Sequence, residues 1–401
     1  FYSRSIGLQG GRAVPILGGG RLTGKVGSFD VGVMSIQTDD EAAVGAESTN
    51  FSVARLRRDI FGRSSIGALF QNRSRSDTGV GSNQAWGVDG FFGLTQDLSV
   101  LGYFAKSYTD GASGLEDSYR GRIAYDTDLF GINAEHLVVG AAFNPEIGFV
   151  RRSDFRQSSA STRFSPRPRS ISWIRQITLS GNGTYLQQES TGDLESWDAG
   201  GQFSAQLENS DNVSFGFSHN HENLVSPARI SGALVPAGEY GFNEAQVSFR
   251  LGPQRFFSAN LSASHGHYYG GTITSAGLGG GRIEVTPQIS VEPSVSLNWI
   301  HLPNAQVPGR YDQHVAVTRV TYTMSPRAYV SGLVQYAFTE NDAGSSGNDT
   351  FSANFRFRWE WAPGSELFLV YTEDRNPDVT SRWSTLRNRG FVLKVNRLLR
   401  I

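Results

Sequence analysis

The residues best suited to chemistry form two His-x-His pairs, His219 with His221 and His265 with His267. Alternate side chains of an extended chain share a face, so each pair offers two imidazoles to one metal ion. The plainer reading, which the surroundings favour, makes them rim histidines next to Tyr268 and Tyr269. Ser218, Asn220, Ser262 and Ser264 stand beside the same histidines, and a hydrolase needs such a Ser, a His and an orienting Asn or Asp on neighbouring strands. In a Ser-rich chain that proximity arises by chance, and no G-x-S-x-G elbow is present. No catalytic residue, resident metal or cofactor is predicted, and a hydrolase is the least favoured use of these residues.

Charged residues at alternate positions form a second group. Arg55 and Arg57, then Arg356, Arg358 and Glu360, then Lys394 and Arg400 each alternate with apolar neighbours. Charges lining a pore tune which solutes pass, or they pair with one another and stiffen the wall, and both uses are compatible. Arg151 and Arg152 close the stretch 143–152, which contains Asn144 and Pro145 and reads as an ordered external or inward-folded loop. They are candidate contacts for anionic lipopolysaccharide or a protein partner, against the plainer reading of a structural turn. The glycine strings 18–20 and 279–281 lack the following Lys-Ser/Thr and helix of a phosphate loop. They fit strand bending or close backbone approach instead.

The elements that must position these residues are strands. Helical periodicity is nearly absent and period-two alternation runs almost throughout. Phe351, Ala353, Phe355, Phe357, Trp359 and Trp361 alternate with Ser352, Asn354, Arg356, Arg358 and Glu360. Ile289, Val291, Pro293, Val295, Leu297 and Trp299 alternate with Ser290, Glu292, Ser294, Ser296 and Asn298, and Val213, Phe215 and Phe217 with Ser214, Gly216 and Ser218. One set meets water; the other meets lipid or a second sheet. Such runs have roughly ten residues, where soluble strands have about five or six and tilted membrane strands about 9–11. Trp299, Tyr322, Trp359 and Trp361 gather near strand ends, as a lipid-facing girdle would. A soluble β-sandwich or solenoid fits the length and the aromatics less well.

Tight turns are predicted at Gly27 and Ser28, Phe61 and Gly62, Gln96 and Asp97, Asp126 and Thr127, and Arg167 and Pro168. Five more fall at Ser210 and Asp211, Gly252 and Pro253, Thr286 and Pro287, Ser325 and Pro326, and Ala362 and Pro363. Longer polar links lie between them at 39–48, 74–81, 110–114, 222–239, 301–309, 340–348 and 373–384. Short turns on one side and long loops on the other predict a closed antiparallel transmembrane β-barrel with short periplasmic turns and longer extracellular loops. Ten turns join twenty strands. A first strand near residues 2–8 and a last near 389–401 raise the expectation to about 22, with 20–24 admitted. The last strand alternates as expected, although Arg397 interrupts its apolar face and the final residue is Ile401, not an aromatic. Residues 1–401 read as one barrel domain, with walls and loops consuming the chain and no room for a plug domain. The start at Phe1 is expected to follow a removed leader or an upstream segment.

Composition agrees. The 401 residues include 47 Gly, no Cys and 18% charged residues, with 36 basic side chains against 37 acidic. A net charge of −1 argues against a nucleic-acid partner. No apolar run approaches the ~18 residues of a membrane helix. The mean hydropathy of −0.30 looks soluble only until it is taken as the average of two unlike faces.

Five stretches carry a family resemblance: VPILGGGRLTGKVG at 14–27, TNFSVARLRRDI at 49–60, FNPEIGFVRRSDFR at 143–156, FSPRPRS at 164–170 and RFRWEWAPGSELFLVY at 356–371. Together they resemble an uncharacterised bacterial outer-membrane β-barrel family. That family is a domain of unknown function usually found C-terminal to a family-nine carbohydrate-binding-like domain. The resemblance implies an outer-membrane barrel, and a glycan partner only through such an N-terminal domain. The expected function is a porin-like or transport component with a polar lumen, in contact with outer-membrane lipids and lipopolysaccharide. The alternative is a membrane anchor or assembly platform with a plugged lumen, holding a surface or periplasmic protein partner.

Overall fold

A computed structural model describes residues 3, 5–77, 81–111, 113–341, 349–376 and 385–398. Strand makes up 72% of the described residues, and 21 strands form a large antiparallel sheet. No helix among the described residues is long and apolar enough to cross a membrane. The chain divides into two compact units, residues 1–164 with 181–198 and residues 165–180 with 199–401.

The first unit opens with a two-residue hairpin, β1 (Leu8–Gln9) and β2 (Arg12–Ala13). An up-and-down meander follows: β3 (Ile16–Val26), β4 (Phe29–Thr38), β5 (Asn50–Ile60), β6 (Ser64–Arg73), β7 (Asn83–Gly93), β8 (Leu98–Thr109), β9 (Asp117–Asp126), β10 (Phe130–Val139) and β11 (Phe155–Phe164). Each pairs antiparallel with the next. The residues of β12 (Ile174–Gln187) and β13 (Leu194–Leu207) are divided between the units.

The second unit continues the pattern from β14 (Asn212–Leu224). A small hairpin, β15 (Ala228–Ile230) and β16 (Ala233–Val235), precedes β17 (Gly238–Arg250), β18 (Phe257–Tyr268), β19 (Gly271–Thr286), β20 (Ile289–Leu302) and β21 (Gly309–Ser325). The last four are β22 (Ala328–Asn341), β23 (Thr350–Ala362), β24 (Ser365–Asn376) and β25 (Thr385–Asn396). β14 pairs with β17, and from there each strand pairs with its successor.

All ten predicted tight turns fall at the junctions of consecutive strands of the sheet, with Asp126, Thr286, Ser325 and Ala362 as last strand residues. Among the described residues the sheet has 21 strands, inside the expected 20–24 and one fewer than the central figure of about 22, so odd and not even. The difference lies at the expected first strand, residues 2–8. Gly7, Gly10 and Gly11 adopt positive φ, at 73°, 55° and 78°, and fold Leu8 back onto Ala13. The sheet therefore begins at Ile16. Phe1, Tyr2 and Arg4 lie outside the described residues, as do 78–80, 342–348, 377–384, Leu399, Arg400 and Ile401.

Side chains divide between the faces as the alternation requires. On β23 and β24, Phe355, Phe357, Trp359, Leu367, Leu369 and Tyr371 share one face through direct register, and Arg356, Arg358, Glu360 and Glu366 share the other. Large apolar side chains on the first face stay exposed, Phe355 at 46% and Trp359 at 46%, so no second layer covers them. Apolar cores form instead on the opposite face, near the long-loop ends. In the second unit the β15–β16 hairpin buries Ala233 and Val235 against Tyr269, Ile300, Leu302, Ala305 and Tyr311. The Tyr269 hydroxyl, its pKa raised by burial and by the adjoining carboxylate, donates to Glu222.

At the short-turn end Asp211 ties two turns together. It accepts from the Gly252 N–H at 2.8 Å and from Arg255 Nη2 at 2.6 Å. The Arg255 hydrogen bond first, and the Gly252 N–H after it, hold its carboxyl below the ordinary value. A depressed folded-state pKa contributes stability above the unfolded pKa, and that stability is lost as pH falls through the folded value. Asp211→Asn is therefore expected to lower the urea midpoint at neutral pH. The gap from wild type should close in acid, and a gap independent of pH would refute the linkage.

Candidate functional site

The first unit carries the most elaborate side-chain arrangement on the polar face. It centres on the loop after β10, residues 140–154. Ile147 is fully buried against Phe51 and Val53 of β5, with Ile6, Met34 and Leu69 packed around it. The loop thus lies on the face opposite the exposed Leu56, Ile66 and Phe70.

A buried charge holds the loop down. Glu146 accepts from Arg73 Nη1 at 3.2 Å, from Ser76 Oγ at 2.5 Å and from the Asp77 N–H at 3.0 Å. The side chains of Arg73 and Glu146 are 6% and 1% exposed, so neither charge is solvated and each depends on the other. Asp77 also pairs with Arg73, whose guanidinium lies over the Phe51 ring, 5.3 Å from its centroid. Backbone groups are matched too. The Glu146 N–H donates to Asn83 Oδ1 at 3.2 Å, Asn83 Nδ2 donates to the Asn144 carbonyl at 2.7 Å, and the Asn144 N–H donates to Ser107 Oγ at 2.9 Å. On the other side Ser3 and Ser5 donate to the Ile147 and Glu146 carbonyls.

Between loop and wall lies a cavity of about 890 Å³. Its wall includes a row in direct register across six strands: Leu69, Gly87, Ala105, Ser118, Val139 and Phe155. The centre of the row is Gly, Ala and Ser, which leaves a trough with bulky ends. Phe143, Pro145, Phe149 and Val150 of the loop roof it. Gln71, 3% exposed, lines the cavity, and its side-chain amide has no hydrogen-bond partner among the described residues. Tyr103 and Ser118 satisfy each other at 3.1 Å. Because the single Ser118 hydroxyl proton goes to the Val138 carbonyl at 2.9 Å, Tyr103 is the donor of that pair.

The polar face below the trough is charged and internally paired. Arg55 binds Asp89 through both oxygens, and Arg120 Nη2 meets Glu135 at 2.6 Å. In the second unit Arg358 pairs with Glu366 and, at 3.4 Å, with Glu360, while Lys394 stands directly across from Phe368 on the same face. Arg356 shares this face, opposite Val370.

Trp299, Tyr322, Trp359 and Trp361 lie on the exposed apolar face, at 37–47% exposure. Trp299 sits toward the long-loop end of β20, and the other three toward short turns. The four histidines are on this face too. His219 Nδ1 meets Asn243 Oδ1 at 2.6 Å, and His265 Nδ1 meets Thr274 Oγ1 at 2.8 Å. No group of three or more potential metal ligands gathers among the described residues. Arg152 pairs with Glu195 and lies over Phe155, whereas Arg151 lines the cavity and has no ion-pair partner among the described residues.

Glu146, Arg73 and Gln71 were not singled out from sequence. The one usable signal is an acid set between Pro145 and Ile147 in the mostly apolar stretch 143–150. Compared with family models and with curated proteins, the chain finds no match.

Removing Glu146 leaves Arg73 buried without its inner partner, a loss of about 3 kcal/mol. Ile147→Ala is expected to cost about 2–5 kcal/mol. In both variants trypsin should cut after Arg151 and Arg152 markedly faster than in wild type. Unchanged cleavage would mean that these contacts do not hold the loop.

Proposed function

We propose that the sheet closes into an outer-membrane β-barrel and that the chain is a porin-like component, passing solutes through a polar lumen narrowed by in-folded loops. The observation that carries this reading is the pairing of faces. A broad apolar face stays uncovered, while the opposite face holds paired charges and a pinned loop. On β20 the apolar side chains from Ile289 to Trp299 span ten residue steps. That is about 33 Å along the strand, or about 23 Å when tilted by ~45°, close to the ~25 Å apolar band of a membrane barrel. The aromatics at both ends of that face suit lipid and lipopolysaccharide headgroups. The family resemblance of the sequence points the same way.

Closure brings β25 beside β3. With 21 alternating strands these two run in the same direction, so the seam is a single parallel pairing, as an odd-stranded mitochondrial barrel also requires. The chain has no cysteine, so engineered pairs report without background. Leu22→Cys combined in turn with cysteine at Phe391, Leu393 or Val395 is expected to cross-link in one combination. No cross-link in any of them would argue against closure.

Passage is tested in planar bilayers. The wild-type chain should conduct with weak ion selectivity, because Arg55, Arg120 and Arg358 are each matched by a carboxylate. Asp89→Asn leaves Arg55 uncompensated and should shift the preference toward anions. Shortening the loop at residues 144–150 should raise single-channel conductance. The in-folded loops of both units also suit a plugged anchor or assembly platform for a surface or periplasmic partner. Inserted protein that conducts neither before nor after loop shortening would favour that second reading.

A further inference from the structure

We infer that the cavity between the 140–154 loop and the wall of β6–β11 is a binding site for a single-chain amphiphilic anion, a medium-chain alkyl carboxylate. An apolar trough is out of place on a face otherwise lined by paired charges. Here Leu69, Gly87, Ala105, Ser118, Val139 and Phe155 form one continuous row, and apolar loop residues roof it. Six strands at about 4.8 Å spacing give a trough about 24 Å long. Its small central residues leave a narrow channel running across the strands, suited to one extended chain and not to a branched or two-chain lipid. At about 890 Å³ the cavity lies within the range of small-molecule sites.

Two polar features specify the head group. Arg151 is a cation on the lining that has no acidic partner among the described residues, while its neighbour Arg152 is engaged by Glu195. Gln71 lies on the wall, and its side-chain amide has no hydrogen-bond partner among the described residues, so it is a donor open to a ligand. Arg151 offers the positive charge that an anionic oxygen needs, and Gln71 adds a neutral donor elsewhere on the same lining. No acidic residue lines the cavity, so nothing there repels a carboxylate. The inference needs the loop against the wall and does not need solute passage.

The test uses the full chain in lipid nanodiscs, with radiolabelled laurate measured by equilibrium dialysis and empty discs as the blank. Dodecanol serves as the neutral comparison. Wild type should show one saturable laurate site above the blank. Arg151→Gln should weaken laurate binding about tenfold and leave dodecanol unchanged. Gln71→Leu should weaken laurate in the same direction. Ala105→Phe fills the trough and should abolish both ligands, and Ala85→Leu, at another small residue of the lining, is the milder filling variant should that one fail to insert.

No saturable laurate binding above empty discs would overturn the proposal. So would equal binding by the Arg151→Gln and trough-filling variants, or laurate binding no tighter than dodecanol in wild type. Conductance measured on the same preparations keeps the two readings apart. Saturable laurate binding by a chain that does not conduct leaves this site standing and removes the passage reading, and conductance without laurate binding does the reverse.

Discussion

A strand that presents Phe355, Phe357 and Trp359 on one side and Arg356, Arg358 and Glu360 on the other has to stand between two unlike surroundings. Neither side chain set tolerates the other's medium: an exposed apolar face in water invites association, and an unpaired charge out of water is heavily penalised. Most other features answer that demand. Strands are long because the apolar band has to be broad. Each bonds its neighbours in a meander, so backbone groups are satisfied within the sheet. On the polar face Arg55 with Asp89, Arg120 with Glu135 and Arg358 with Glu366 stand as opposite charges in contact, each lowering the cost of the other.

The in-folded loops are a second-order consequence. A sheet whose apolar face stays uncovered has no interior of its own, so the tightest packing falls where loops lie back on the polar face. Ile147 against Phe51 and Val53, and Val235 against Leu302 and Tyr311, are small cores built by loops and not by a second sheet. The Glu146–Arg73 pair differs from the surface bridges elsewhere because both side chains are buried, which makes it specific and costly to break.

The regular parts of the fold were readable in the sequence. Ten turn positions marked by Gly, Pro, Asp and Ser each joined consecutive strands, because those residue types act locally through their own backbone preferences. The faces of β20 and β23 followed from counting by twos. The first strand misled, since Gly7, Gly10 and Gly11 release the chain into a hairpin where apolar spacing alone suggested extension. The cavity was out of reach for another reason. The row Leu69, Gly87, Ala105, Ser118, Val139 and Phe155 exists only through register across six strands, and nothing within any one strand announces it. Arg151 and Arg152 looked equivalent, and only tertiary placement gave one a partner and left the other facing the trough.

The separation between Glu146 and Arg73 also sets an order in time. Every strand pairing of the first unit joins neighbours in the chain, so hairpins form with little loop-closure cost and in any sequence of events. The staple does not share that freedom. It joins residues 73 apart, and its carboxylate has no buried partner until β6 is in place. The loop after β10 is therefore among the last parts of this unit to settle. Until it does, the trough is an open wall, which makes the roofed cavity a mark of finished assembly.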